Sequence, residues 1–210
     1  MRLLPFTYPW IIRTHISSVN KILDIGSGDG SLMKSIYNQG MKVTGVELFD
    51  PYIVKSKKTG VYHKILKQDV RSLNSIRDSS YDGILCSQII EHLTKKEGKV
   101  LLNEMERIAK QIIVIGTPHG HYHRAHAYEG NELQKHHSGW LPNDFKSRGY
   151  RVYGQGLKVI YGEHGYIESP FFQNTLARGL LLGISYLVSP LVYYFPQFAA
   201  HLVAVKHIKN

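Results

Sequence analysis

Apolar and polar residues follow one another in blocks along the chain. Apolar runs of strand length stand at 21–25, 42–46, 63–67, 81–86 and 111–115. A run that is apolar on consecutive positions reads as a strand buried on both faces. Between these runs the apolar positions take helical spacing. Helices are predicted over 8–18, from 31 to about 38 with Gly40 as a stop, over 51–58, and over 94–109, where Val100, Leu101, Met105 and Ile108 fall at helical intervals. Gly116-Thr117-Pro118 reads as the end of the fifth strand. Beyond it, a helix opening within 137–145 and ending near Gly149 precedes a strand at 150–153, and a last strand is predicted at 202–208. Strands alternating with helices predict an α/β fold: a doubly wound, mainly parallel sheet with helices on both faces.

In such sheets ligands bind beyond the carboxyl ends of the strands. The first strand ends in Leu23-Asp24-Ile25-Gly26-Ser27-Gly28-Asp29-Gly30. Glycines at alternate positions let the backbone turn tightly and let a ligand approach where a side chain would collide. The N–H groups of the following helix would face that ligand. The other strand ends carry Glu47, Asp69, the stretch 87–92, and Thr117 onward. A dinucleotide fingerprint wants G-x-G-x-x-G. Here the third glycine comes one residue sooner, and Ser31 stands where that motif needs glycine or alanine.

The glycine turn, Gly45-Val46-Glu47, Gln68-Asp69-Val70, Tyr81-Asp82-Gly83-Ile84 and Glu91-His92-Leu93 together resemble the class I S-adenosylmethionine-dependent methyltransferases, in the group acting largely on small molecules and lipids. The resemblance covers roughly 19–156. It implies a single methyltransferase domain over 1–210 and a seven-stranded sheet of order 3-2-1-4-5-7-6, its last two strands antiparallel. S-adenosyl-L-methionine is the implied cofactor. Gly26, Gly28 and Gly30 would run beside its methionine part, and Asp24 would orient the loop and help hold the ammonium group. Glu47 would accept from both ribose hydroxyls, with Leu48 on the adenine face. Asp69 would take the adenine amine, Val70 would supply backbone contact, and Ser87 and Gln88 would lie beside the sulfonium. The implied acceptor is a small or lipid-like molecule, methylated on oxygen first and on carbon second.

Methyl transfer needs no protein nucleophile; alignment does much of the work, and a base is needed only where the acceptor must lose a proton. Six of the chain's 12 histidines fall within 117–140. His119, just past the fifth strand, and His92 are the candidate bases. Some relatives carry E-x-x-E-H after strand four with a later histidine, holding a divalent ion. This chain reads Gln88-Ile89-Ile90-Glu91-His92, with Gln in place of the first Glu, which weakens a hard-cation site. No metal is therefore expected; Glu91, His92, His136 and His137 are the residues that could form a partial set.

The totals narrow the partners. The chain has 210 residues, 43% hydrophobic and 20% charged, with a net charge of +10. Such a charge favours acidic partners, nucleic acid or anionic lipid among them. A nucleic-acid methyltransferase is one alternative; the N/D-P-P-Y/F sequence of amino-group enzymes is missing after strand four, and no basic RNA-binding module is visible. A non-catalytic S-adenosylmethionine-binding protein is the other. One cysteine, Cys86, excludes an internal disulfide and suits a cytoplasmic location. A hydrophobic helical insertion is expected at about 170–200, and 179–200 holds no charged residue. Its length approaches the ~20 residues that span a bilayer, but Pro190 and Pro196 oppose one straight span. Either a lid or dimer contact or a membrane-surface segment fits it.

Overall fold

A computed structural model describes residues 3–121, 130–162, 165–169 and 175–208. In chain order the elements are α1 (Tyr8–Ile16), β1 (Lys21–Ile25), α2 (Ser31–Ile36), β2 (Lys42–Glu47), α3 (Asp50–Lys58), β3 (Tyr62–Lys67), β4 (Tyr81–Ser87), α4 (Lys95–Ile108), β5 (Ala109–Pro118), α5 (Pro142–Lys146), β6 (Arg151–Leu157), α6 (Lys158–Tyr161), α7 (Thr175–Leu187), α8 (Ser189–Tyr194) and β7 (Ala199–His207). Helices α1, α3, α5 and α8 each carry a proline in the first turn, where its missing N–H is no loss. Thr94 and Glu97 cap α4 reciprocally: the Glu97 carboxylate accepts from the Thr94 backbone N–H at 2.9 Å, and Thr94 Oγ1 accepts from the Glu97 N–H at 3.3 Å.

The strands form one sheet in the order β3-β2-β1-β4-β5-β7-β6. The first five in that order are parallel, and β7 runs antiparallel between β5 and β6. One core face packs Leu101, Leu102 and Met105 of α4 with Trp140 and Phe145 against the sheet; the other packs Ile11, Ile12 and Ile16 of α1 with Met33, Ile36 and Tyr193. Helices thus cover both faces, as the alternating pattern predicts.

Several boundaries move. Strand β5 continues through Gly116-Thr117-Pro118 instead of stopping there. The His119 N–H donates to the Ala200 carbonyl of β7 at 2.8 Å. Alternate N–H groups point to opposite edges, so the nitrogen of Pro118 faces the β4 side. There β4 has already ended at Ser87, opposite Gly116, and no ladder bond is lost. Pairing with β5 and β6 also extends β7 back to Ala199. Helix α2 ends at Ile36, two residues short of expectation, and α5 begins only at Pro142. The residues before it run extended, with Trp140 bridging to His119 and Gly120.

The insertion is helical. On α7, Leu176, Leu180, Ile184 and Leu187 are 75, 63, 56 and 79% exposed, at spacings that put them on one stripe. Ser185, by contrast, is buried, as is Ser189 at the start of α8. Most of the helix surface is exposed, and this apolar stripe is part of what it presents outward. No helix among the described residues is long and apolar enough to cross a membrane.

Gly98 of α4 lies against Trp140, which is fully buried; a Cβ there would stand 2.5 Å from Trp140 Cζ2. The indole has little room to yield, because Nε1 donates to Ser138 Oγ at 3.0 Å and Lys95 Nζ sits 3.8 Å over the ring. Gly98→Ala should gain about 1 kcal/mol of helix propensity and lose about 1–3 kcal/mol to overpacking. A lower urea midpoint than wild type is the expected result; an equal or higher one would show that Trp140 is not wedged there.

Candidate active site

The glycine turn closes the end of β1. Gly26, Gly28 and Gly30 have φ of 68, 55 and 80°, in the left-handed region where a side chain is strained. At Gly26 space adds a second demand: a Cβ would meet Ile89 Cδ1 at 2.1 Å. At Gly28 nothing lies within 4 Å of such an atom, so the turn leaves an open cradle. Helix α2 has six residues, and the N–H of its first, Ser31, donates to Asp29 Oδ1 at 2.9 Å. That N–H serves the turn rather than a ligand, which departs from the sequence expectation.

Glu47, buried at the end of β2, ties the turn down. Its Oε2 accepts from the Gly28 N–H at 2.9 Å, and its Oε1 accepts from the Leu48 and Phe49 N–H groups at 2.9 Å each. The orienting role expected of Asp24 therefore falls to Glu47. Asp24 is held from another side: the Tyr62 hydroxyl of β3 donates to its Oδ2 at 2.7 Å. Burial pushes the Asp24 carboxyl up to about 7, against the pull of the Tyr62 hydrogen bond and with a further push from Glu47. Two carboxyl groups in a closed cleft invite a cation.

Two hollows join here. One, of about 300 Å³, runs from Glu47 and Leu48 past Val70 and Ile89 to Asp69 and His92. The other, of about 540 Å³, runs from Asp24 and Gly28 to Ser87 and Gln88. They share Gly26, Glu47, Ile89 and Gln134, so they are two ends of one cleft. Asp69 lines the first, but Arg71 grips it with backbone and guanidinium, holding its carboxyl below the usual range. At the other end Ser87 Oγ lies 2.7 Å from the Tyr8 hydroxyl, and Gln88 Nε2 donates to that hydroxyl at 3.2 Å. Gln88 itself has a φ of 56°, a strained backbone at the heart of the site. Tyr8 reaches in because residue 116 is glycine; a Cβ there would overlap the phenol. Burial keeps the Tyr8 hydroxyl protonated well above the usual tyrosine range.

A third hollow, of about 320 Å³, adjoins the cleft through Gln88 and Gln134. Glu91, His92, His136 and His201 line it. Potential ligand atoms of Glu91, His92 and His136 lie within 4.8 Å of one another. Glu91 is buried, and its Oε2 accepts from Thr117 Oγ1 at 3.0 Å. His92 Nδ1 lies 3.1 Å from the Lys135 carbonyl, which can only accept, so Nδ1 carries a proton there. His137 stands apart, exposed at the Asp69 end of the cleft. His119 turns its Nδ1–H to the Ala199 carbonyl at 2.8 Å, and burial lowers its pKa. It lies beside the three hollows rather than in their linings. Of the two candidate bases, His92 is the one placed in the site. The histidine-rich run 122–129 lies outside the described residues.

Tyr8, Tyr62, Gln134, Tyr161 and His201 were not found from the sequence. Each reaches the site through folding, with no local pattern in the sequence to mark it.

The donor set fits S-adenosyl-L-methionine: carboxyl groups for its cationic end, the Gly28 cradle, and Leu48, Val70 and Ile89 for a flat apolar base. Residues 23–112 match the family model of the methyltransferase domain. A ubiquinone biosynthesis O-methyltransferase of Rickettsia bellii is 27% identical over 113 residues, covering 50% of this chain and 46% of that protein. The chain thus spans about half the length of that curated relative. Among solved structures, a SAM-dependent methyltransferase from Archaeoglobus fulgidus superposes with a TM-score of 0.56 at 17% identity, covering 95% of this chain and 94% of that one. The methyltransferase domain of bacterial CtHen1-C gives 0.56 at 16% identity, covering 96 and 97%. Residues 23–112 thus match a methyltransferase domain, set in a chain that has the fold of the class I S-adenosylmethionine-dependent methyltransferases.

Proposed function

We propose that the protein is an S-adenosylmethionine-dependent O-methyltransferase acting on a small, lipid-like acceptor. The observation that carries this is the continuity of the three hollows, a cofactor-length cleft that meets an acceptor-sized cavity at Gln88 and Gln134. The name of the Rickettsia relative, a ubiquinone biosynthesis O-methyltransferase, supports methylation on oxygen. Bound S-adenosylmethionine supplies an electrophilic methyl group. The protein's share is binding and alignment. Asp24 and Glu47 hold the cationic and hydroxylated parts, Tyr8 fixes Ser87 and Gln88 at the junction, and His92 Nε2 takes the acceptor proton. A labelled methyl-transfer screen over hydroxylated lipids, quinols and small phenols tests the reading; no product from any class would reject it.

Glu47→Ala strips three N–H groups of their acceptor at once. Hydrogen bonds to a charged group contribute about 1.5–3 kcal/mol each. Affinity for S-adenosylhomocysteine, read by calorimetry, should fall at least tenfold, about 1.4 kcal/mol. Unchanged affinity would remove Glu47 from the cofactor site.

The Asp24 carboxyl gives a pH signature. Its value is raised from 3.8 to about 7 in the fold. The folded state therefore binds the extra proton, and stability falls as pH rises between those values. A cation at Asp24 favours the carboxylate, so cofactor affinity should rise as pH climbs through about 7, with proton release on binding below it. Tyr62→Phe removes the hydrogen bond that favours the charged form and should move the rise to higher pH. A profile flat across this window would show that Asp24 does not meet the cation.

The apolar stripe of α7 is assigned in this reading to an anionic bilayer at the cytoplasmic face. Tyr194, Phe195 and Phe198 extend the exposed apolar surface, and aromatic side chains favour the bilayer interface. At 13 residues α7 is about 20 Å long, short of the ~30 Å hydrocarbon core, so it suits lying in the surface. The net charge of +10 is complementary to anionic lipid, whereas a second copy brings like charge. The protein should float with phosphatidylserine-containing vesicles at low salt, and Leu180→Glu with Leu187→Glu should abolish this while leaving cofactor affinity intact. Failure to float, or a dimer in solution that the same substitutions dissociate, would assign the face to a second copy.

A further inference from the structure

We propose that His201 binds the methyl acceptor directly, through a hydroxyl oxygen of that molecule; the inference deepens the methyl-transfer reading above and rests on it. His201 stands on β7, opposite Pro118 of β5 and Gln155 of β6, and lines the third hollow. Its Nδ1 is buried and has no hydrogen-bond partner among the described residues. Burial also lowers its pKa below the usual 6.5, so the ring is neutral near pH 7. A neutral imidazole carries one donor and one acceptor nitrogen, and both want a partner. Buried polar atoms in folded proteins are nearly always satisfied, and an exception at a cavity wall calls for a partner such as a water or a ligand atom.

The neighbours do not serve that nitrogen. Tyr8 packs edge-on against the ring with centroids 6.1 Å apart, but its hydroxyl is committed to Ser87 and Gln88. Packing by Tyr8 holds the imidazole in place on the wall of the third hollow. A hydroxyl both gives and accepts a hydrogen bond, so it satisfies Nδ1 in either tautomer. A carboxylate or an ammonium satisfies one tautomer alone. The other polar groups in the wall, Gln88, Glu91, His92 and Tyr161, suit the same chemistry, and a volume of about 320 Å³ suits one ring. Gln88 belongs to this cavity and to the cleft, so a hydroxylated ring held by His201 lies beside the methyl donor. The class of ligand is the compact polyhydroxylated ring that a lipid-like acceptor would present, aromatic or alicyclic; catechol and myo-inositol stand for the two head groups.

The test uses the full chain saturated with S-adenosylhomocysteine. Imidazole nitrogen resonances are followed during titration with each probe, the His201 signals being identified by their loss in His201→Asn. The proposal expects the His201 Nδ1 resonance to move with at least one probe. It expects binding of that probe to weaken about tenfold or more in His201→Leu, with part of it restored in His201→Asn, whose short amide returns a polar atom near the Nδ1 position. Affinity for S-adenosylhomocysteine should stay within twofold in both variants. Equal probe binding by wild type and His201→Leu overturns the proposal. So does a His201 resonance that stays still at saturation, or failure of both probes to bind the wild-type protein at millimolar concentration. Loss of S-adenosylhomocysteine binding by the wild type instead overturns the underlying methyl-transfer reading.

Discussion

Everything at the donor end depends on the Glu47 carboxylate. Burying a carboxylate is costly unless its oxygens are satisfied, and here three backbone N–H groups do this. One side chain thereby joins the turn after β1 to the turn after β2. Only glycines permit the turn that brings the Gly28 N–H to it. The same carboxylate acts on its neighbour: Asp24 lies in its field and away from water, which keeps the Asp24 proton on to about pH 7. The cleft thereby sets a carboxylate beside a second carboxyl that ionises near pH 7, a pair suited to a cationic ligand.

The parts of this design that are local in sequence were legible there. The glycine turn, Glu47 and Asp69 at successive strand ends, and the alternating strands and helices follow from patterns within short windows. The strand order came from the resemblance, and the sheet has that order. What stayed hidden is what folding brings from a distance. Tyr8 meets Ser87 across 79 positions and Tyr62 meets Asp24 across 38. No periodicity announces either contact. Pro118 misled for the opposite reason: proline argues against a strand locally, but the early end of β4 leaves its nitrogen nothing to pair with. His119 looked best by proximity to β5, and the Ala199 carbonyl on β7 turned its ring aside.

The exposed helix α7 shows why burial pattern and sequence pattern must be weighed together. An uncharged run reads equally well as core or as surface for a partner. Burial of Ser185 with exposure of Leu180, Ile184 and Leu187 decides that the apolar stripe is not part of this chain's own core. Large contiguous apolar surface is costly in water and marks a contact. A lipid-like acceptor would reach the enzyme most readily if that contact were a bilayer, since the acceptor would then already be concentrated there.

The two ends of the site differ in their imidazoles. Asp24 and Glu47 line the cleft proposed for the donor; His92, His136 and His201, with the Glu91 carboxyl among them, line the hollow proposed for the acceptor. The proposed reaction uses this asymmetry. Transfer of a methyl group from a sulfonium removes one positive charge from the donor end and frees one proton at the acceptor end. An imidazole such as His92, whose Nδ1 proton is anchored on the Lys135 carbonyl, can take that proton on Nε2 near neutral pH.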